Sequence, residues 1–251
     1  MSSLIYDDWT WSYSRLSLFN QCPYAFALKY LYGETSQSNQ YAEFGSYIHS
    51  IHEQFYNKEL KESELVPYYI EHFSEVNSRM SGEARSKYFL DGLNYFEGGI
   101  RVVPSSIIGV EKVINFKVAN YRFVGIIDLL YRNEDGSLTI LDHKSHNLKP
   151  RSGRVKPTAT DRELDDYLKQ LYLYAHGVHQ LGLGNVSTLT FNCFRGSQII
   201  ENRYSKAKED EAVEWAVNTI GKIEDATVFD PRPDWFYCRN LCDCRGICEY
   251  K

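Results

Sequence analysis

The chain has 251 residues, 43% of them apolar and 24% charged, with a formal net charge of −5. That supplies enough apolar material for a sizeable core, and the acidic balance argues against a protein that coats nucleic acid by bulk attraction. No apolar run approaches the roughly 18 residues of a membrane span. The start, Met1-Ser2-Ser3-Leu4-Ile5-Tyr6-Asp7-Asp8, lacks the basic opening and apolar stretch of a secretory signal, so a cytoplasmic protein with no membrane partner is expected.

In chain order, Ser12 or Ser14 can cap a helix running to about Tyr32, with Leu16, Phe19, Phe26 and Tyr30 at helical spacing and Gly33 as its stop. A second helix is expected from about Phe44 to Leu60, and helical pattern continues to Phe96. From Ile108 the period becomes that of strands. Val110 with Val113 to Val118, then Phe123 to Tyr131, then Leu138 to Leu141 read as three strands, and Asn133-Glu134-Asp135-Gly136 turns between the last two. A helix from about Arg162 to Gly182, strands near Val186 to Phe194 and Ile199 to Tyr204, and a helix from about Lys206 to Glu224 complete the order. There is no internal repeat and no Gly-x-x-x-x-Gly-Lys-Ser/Thr phosphate loop, so nothing suggests an ATP-driven motor in this polypeptide.

Two short segments carry the chemistry. Val124-Gly125-Ile126-Ile127-Asp128 and Ile140-Leu141-Asp142-His143-Lys144 each read as an apolar strand delivering a carboxylate to its end, and the second adds a lysine two residues later. Carboxylates on neighbouring strands can hold Mg²⁺ or Mn²⁺ through oxygen. A lysine beside them can orient the attacking water and offset charge building on a phosphate. Taken singly, Asp128 and Asp142 read better as caps of strand ends and Lys144 as a solvated charge. The stretch from Lys144 to Lys156 then holds Lys149, Arg151 and Arg154 and no acid, with Pro150, Gly153 and Pro157 marking it as loop. Such a loop is either solvated or the bed of a phosphate backbone.

Six cysteines are present, and Cys238, Cys242, Cys244 and Cys248 crowd the C-terminus. In a reducing compartment that density points to metal rather than disulfides, and four thiolates suit either zinc or a 4Fe–4S cluster. Cys193 reads as an inert core thiol. Cys22, in Asn20-Gln21-Cys22-Pro23-Tyr24, is either a fourth ligand that clips the two ends of the chain together or a buried small hydrophobe.

Together these segments resemble the PD-(D/E)XK nuclease superfamily, in particular its RecB-like iron–sulfur branch, which includes CRISPR-associated adaptation exonucleases, the AddB nuclease domain and phage relatives. The resemblance runs from Tyr13 to Cys248. Tyr13-Ser14-Arg15-Leu16 through Cys22-Pro23 resembles the helix with the lone cluster cysteine, and Phe44-Gly45-Ser46-Tyr47-Ile48-His49 the motif whose histidine ligates the catalytic metal. Gly125-Ile126-Ile127-Asp128 and Asp142-His143-Lys144 match the two acids and the lysine, and Gln170-Leu171-Tyr172-Leu173-Tyr174 the Gln-x-x-x-Tyr helix.

The resemblance implies an α/β, restriction-endonuclease-like mixed sheet flanked by helices, with one RecB-like nuclease domain over 1–251. Within it, a helical part would span 1–100, the nuclease core 101–205, and the C-terminal helix and cysteine segment 206–251. It further implies a metal site of His49, Asp128, Asp142 and the carbonyl of His143, with Lys144, Gln170 and Tyr174 completing the catalytic group and His52 a packed or surface residue. The implied cluster ligands are Cys22, Cys238, Cys242 and Cys248. Arg239-Asn240-Leu241 is one residue longer than the family's first spacing, and the extra Cys244 is able to replace a ligand. Lys149, Arg151, Arg154 and Lys156 would meet DNA. The implied reaction is Mg²⁺- or Mn²⁺-dependent hydrolysis of single-stranded DNA, exonucleolytic, alongside a helicase, recombination or CRISPR partner in a bacterial, archaeal or phage setting. A non-catalytic DNA-binding subunit and an endonuclease on branched or duplex DNA are the alternatives; oligomeric state is left open.

Overall fold

The computed structural model describes residues 6, 8–34, 39–76 and 80–250; Met1 to Ile5, read above for a signal, lie outside them. The expected N-terminal helix is two helices, α1 (Tyr13–Gln21) and α2 (Pro23–Tyr30). The cause is local. Pro23 disfavours helical backbone at the residue before it, so Cys22 is extended (φ −157°, ψ 106°) and Pro23 opens α2 at a position where its missing N–H costs nothing. Ser12 is the cap of α1, accepting from the Arg15 N–H. Helix α3 (Gln40–Tyr56) begins earlier than expected because the Asn39 side chain accepts from the N–H groups of Tyr41 and Ala42. Helices α4 (Leu65–Val76) and α5 (Gly82–Glu97) finish the helical third.

The sheet contains a two-residue β1 (Thr10–Trp11), β2 (Ser106–Val118), β3 (Tyr121–Arg132), β4 (Leu138–Lys144), β5 (Val186–Cys193) and β6 (Gln198–Arg203). β2 and β3 form a hairpin whose last pair, Val118 with Tyr121, encloses a two-residue turn. β4 runs parallel to β5, joined to it through α6 (Ala159–Gln180), and α7 (Lys206–Asp225) packs beside α6. The remaining pairings of β3 with β4 and β5 with β6 are antiparallel, which makes the sheet mixed. A short α8 (Trp235–Asn240), capped by Asp234, precedes the last cysteines.

Two apolar clusters sandwich the sheet. One joins β-strand residues such as Ile127, Ile140, Leu189 and Phe191 to Leu164, Leu168 and Leu171 of α6 and Ala216 and Ile220 of α7. The other joins Leu129 and Leu141 to Phe44, Ile48 and Ile51 of α3 and to Tyr69 and Tyr95. Buried Cys193 belongs to the first cluster, as expected of a core thiol. Among the described residues no helix is long and apolar enough to cross a membrane.

One edge of β3 is interrupted. β2 occupies one side of β3 along its length, while the other side carries β1 at Arg122–Phe123 and β4 from Leu129 to Arg132. Between them no strand among the described residues pairs with 124–128 on that side, and the opening is a cleft of about 550 Å³ lined by Val124, Gly125, Ile126 and Asp128 among others.

Candidate active site

The β3–β4 ladder ends at the pair Leu129 and Leu141. The next residues along the two strands are Asp128 and Asp142, so the acids stand together where the ladder forks and β4 continues against β5 alone. On the far side of β3, Val110 pairs with Leu129 and Lys112 with Ile127, which brings Glu111 level with Asp128. Three acids therefore lie at one level across three adjacent strands. Such an arrangement opposes folding unless a cation stands among them.

Helix α3 carries His49 to this level. Its Nε2–H donates to the His143 carbonyl at 2.9 Å, while Nδ1 lies 3.4 Å from Asp128 Oδ2 and 3.7 Å from Glu111 Oε1. Ligand atoms of His49, Glu111 and Asp128 all fall within 4.8 Å of one another. The His143 N–H, freed from the ladder, donates to Asp128 Oδ2 at 2.7 Å. Burial and the charge of Asp142 push the Asp128 carboxyl up to about 7, against the pull of His49 and that N–H. Burial works to lower His49, but its hydrogen bond to Glu111 and the charges of Asp128 and Asp142 override it and raise the imidazole to about 9. The crowding of buried acids thus raises both the Asp128 carboxyl and the His49 imidazole.

Lys144 closes the other flank. Its Nζ lies 2.8 Å from Asp142 Oδ2 and donates to Gln170 Oε1 at 3.2 Å, and Gln170 Nε2 donates to the Tyr174 hydroxyl at 2.9 Å. Burial disfavours a charged lysine, yet the charge of Asp142 outweighs it and raises Lys144, so the ammonium persists. Asp142 Oδ2, for all its closeness to Lys144, accepts no directed hydrogen bond among the described residues.

The sequence matches the model of the PD-(D/E)XK nuclease superfamily over residues 10–249. The chain belongs to that superfamily. Among solved structures, a candidate exonuclease from Eubacterium rectale is similar in fold, at 13% identity and a TM-score of 0.59, covering 100% of this chain and 94% of that one. The structure of SSO0001 covers 81% of this chain and 95% of its own at 19% identity, with a TM-score of 0.32 that carries no argument. No curated protein matches this sequence. The chain is thus a nuclease of the restriction-endonuclease-like fold, and DNA is the substrate its superfamily implies.

PD-(D/E)XK nucleases use divalent metal ions, and the residues at the fork fit one. Two carboxylates and an imidazole within reach of a single centre, with the Asp142 carboxylate beside them against Lys144, make an oxygen-rich donor set suited to Mg²⁺ or Mn²⁺. The sequence reading grouped His49 with Asp128, Asp142 and the His143 carbonyl. All four line the cleft, and Glu111 joins His49 and Asp128 there, while Asp142 pairs with Lys144 and His49 donates to the His143 carbonyl. Glu111 was missed. It carries φ 45°, a left-handed backbone that costs a non-glycine residue about 1–3 kcal/mol.

His52 is buried, not at the surface. Its ring stacks on the His143 ring at 3.9 Å and bonds to the Ile48 carbonyl and the Tyr95 hydroxyl, and Asn192 joins Tyr95 to His143. This pack fixes the His143 ring, and with it the backbone that meets His49 and Asp128.

Gly125 explains how Tyr174 reaches its place. A Cβ on Gly125 would come within 2.6 Å of the Tyr174 ring, so the bare backbone lets the ring lie along the open edge of β3. Its hydroxyl accepts from the Gln170 amide. Gly125→Ala is expected to cost about 2 kcal/mol by overpacking and to slow cleavage about tenfold by displacing Gln170 from Lys144. The double variant Gly125→Ala/Tyr174→Ala should regain the stability, as read by urea unfolding. An unchanged single variant would remove this contact from the site.

The basic loop does not line the cleft. Arg151 pairs with Asp165, and Lys149, Arg154 and Lys156 are exposed. Asp161 pins the loop, accepting from the N–H and hydroxyl of both Ser152 and Thr158.

The cysteines converge. Cys22 and Cys248 pack against Ala25, Leu28, Cys242 and Cys244, with Tyr237 alongside. The Arg232 N–H donates to Cys22 Sγ at 3.4 Å and the Asp234 N–H to Cys238 Sγ at 3.3 Å. Cys244 instead turns its thiol to the Ala25 carbonyl at 3.7 Å. Among the described residues no three sulfurs lie within 4.8 Å of one another, wider than one tetrahedral zinc at about 2.3 Å from each sulfur would hold them.

Proposed function

We propose that this chain is a metal-dependent deoxyribonuclease that degrades single-stranded DNA from an end, and that it belongs to the RecB-like iron–sulfur branch as one nuclease domain over 1–251. The observation that carries the reading is the fork, where His49, Glu111 and Asp128 converge beside the Asp142–Lys144–Gln170 chain. A divalent ion bound by the acids and His49 supplies Lewis-acid stabilisation of charge on the phosphate. Lys144, held as an ammonium by Asp142 and aimed by Gln170 and Tyr174, orients the attacking water and meets the developing negative charge. His143 contributes its carbonyl and the N–H that positions Asp128. Lys149, Arg151, Arg154 and Lys156 attract the strand outside the cleft. The reading includes a cytoplasmic setting, with a helicase, recombination or CRISPR partner supplying opened strands.

The test is cleavage of end-labelled linear and circular single-stranded DNA with Mg²⁺, Mn²⁺ or EDTA, beside Asp142→Ala. Metal-dependent loss of the linear strand alone is expected. Cutting of the circle converts the assignment to endonuclease, and binding without cleavage converts it to a non-catalytic subunit.

The cysteine group is assigned to a 4Fe–4S cluster held by Cys22, Cys238, Cys242 and Cys248. The N–H groups aimed at Cys22 and Cys238 are of the kind that stabilise ligating sulfur. Cys22→Ala is expected to lower both iron content and melting temperature in anaerobically purified protein, and Cys244→Ser to leave iron in place. Full iron in the first variant, or its loss in the second, overturns the ligand set.

A further inference from the structure

A second groove, of about 520 Å³, lies beside the metal cleft between α1, α6 and α7. We infer that it is a base-stacking subsite for the same single strand, holding nucleotides next to the one whose phosphate is cut; this rests on the nuclease reading above. Its volume is in the range of ligand pockets, about 300–1,000 Å³.

Continuity is the first argument. Tyr13 lines both the groove and the cleft, and Tyr167 of the groove carries Lys144 Nζ over its ring at 5.1 Å. The groove therefore begins one side chain from the lysine of the cleft. At its other end stands Arg162, which donates to the carbonyl of Pro157, the end of the basic loop. A strand bound along it would connect the cleft to that loop.

Chemistry is the second. Tyr13 and Trp215 pack with centroids 5.7 Å apart, and Tyr13 is fixed across the groove because its hydroxyl donates to the Asp166 carbonyl at 2.8 Å. Ser17 lines the groove beside them, while the Asn20 amide N–H groups are spent on the Leu16 carbonyl and the Thr219 hydroxyl. The charges nearly cancel: Lys169 pairs with Asp166, and Arg162 stands near Glu163. A groove without net positive charge has little to offer a run of phosphates, whereas stacking of bases on aromatic faces needs none. Phosphate attraction is left to the exposed loop and stacking to the groove.

The experiment is binding of fluorescein-labelled single-stranded oligonucleotides by the full chain in Ca²⁺, read by anisotropy, with one abasic residue stepped through the sequence. Abasic residues at the groove positions are expected to weaken binding about tenfold. Trp215→Leu should weaken the intact strand by a similar factor, lose nothing further on the abasic strands, and leave the salt dependence of binding unchanged. A uniform response to abasic residues overturns the subsite, as does a full abasic penalty in Trp215→Leu or a shallower salt slope there. Because the readout is affinity, absence of cleavage by the wild type sinks the nuclease reading and leaves this measurement standing.

Discussion

Lys144→Ala lowers cleavage by at least about a hundredfold, the cost of removing a charge-stabilising donor from the reacting phosphate. It has a second effect of opposite use. The Asp142 carboxylate, buried with Lys144 at 2.8 Å, loses its counter-charge, and an uncompensated buried acid costs about 3 kcal/mol. Added Mn²⁺ should return part of that stability, since the acid then has a cation again. Activity and melting temperature measured with and without Mn²⁺ separate the two effects. A variant that cleaves at the wild-type rate removes Lys144 from the mechanism.

Glu111→Gly is expected to stabilise the metal-free protein while crippling it. Left-handed backbone at Glu111 costs about 1–3 kcal/mol. Glycine removes that strain and one of three crowded acids, and forfeits about 0.4–1 kcal/mol through its freer unfolded chain. The net gain is about 1 kcal/mol, read as a higher urea midpoint in EDTA at unchanged slope. Cleavage should fall about a hundredfold, with a higher Mn²⁺ requirement. Lower stability in EDTA would show that the backbone at Glu111 is not strained, and unaltered metal dependence would exclude it as a ligand.

The central sheet was legible because its strands are long and apolar, and the helical periods on either side placed α6 and α7 within a few residues. What the pattern could not supply came from side chains acting on backbone. Cys22 breaks a continuous helical period only because Pro23 follows it, a signal present in the sequence and outweighed there by the spacing of Leu16, Phe19 and Phe26. Glu111 was reachable too. Extending the first strand back across the two-residue turn at Ala119 and Asn120 counts Glu111 opposite Asp128, but that turn is unmarked by glycine or proline, so the pattern alone does not set the register. β1 is two residues long and has no period to detect. The groove beside the cleft was invisible, since Tyr13, Tyr167 and Trp215 come from three helices and share no spacing.

The gap in the partner edge of β3 bears on how such a site can change. Because β2 pairs with 124–127 along the opposite side, the opening is a place where one more strand is missing, not a place where the sheet ends. The Tyr174 side chain, not main chain, fills part of it. The width and wetness of the entrance are therefore set by side chains of α6 and can drift, or be redesigned, while the scaffold that holds the acids stays in register. The same Tyr174 also holds Gln170 on Lys144, so any change in the width of the mouth is felt at the lysine.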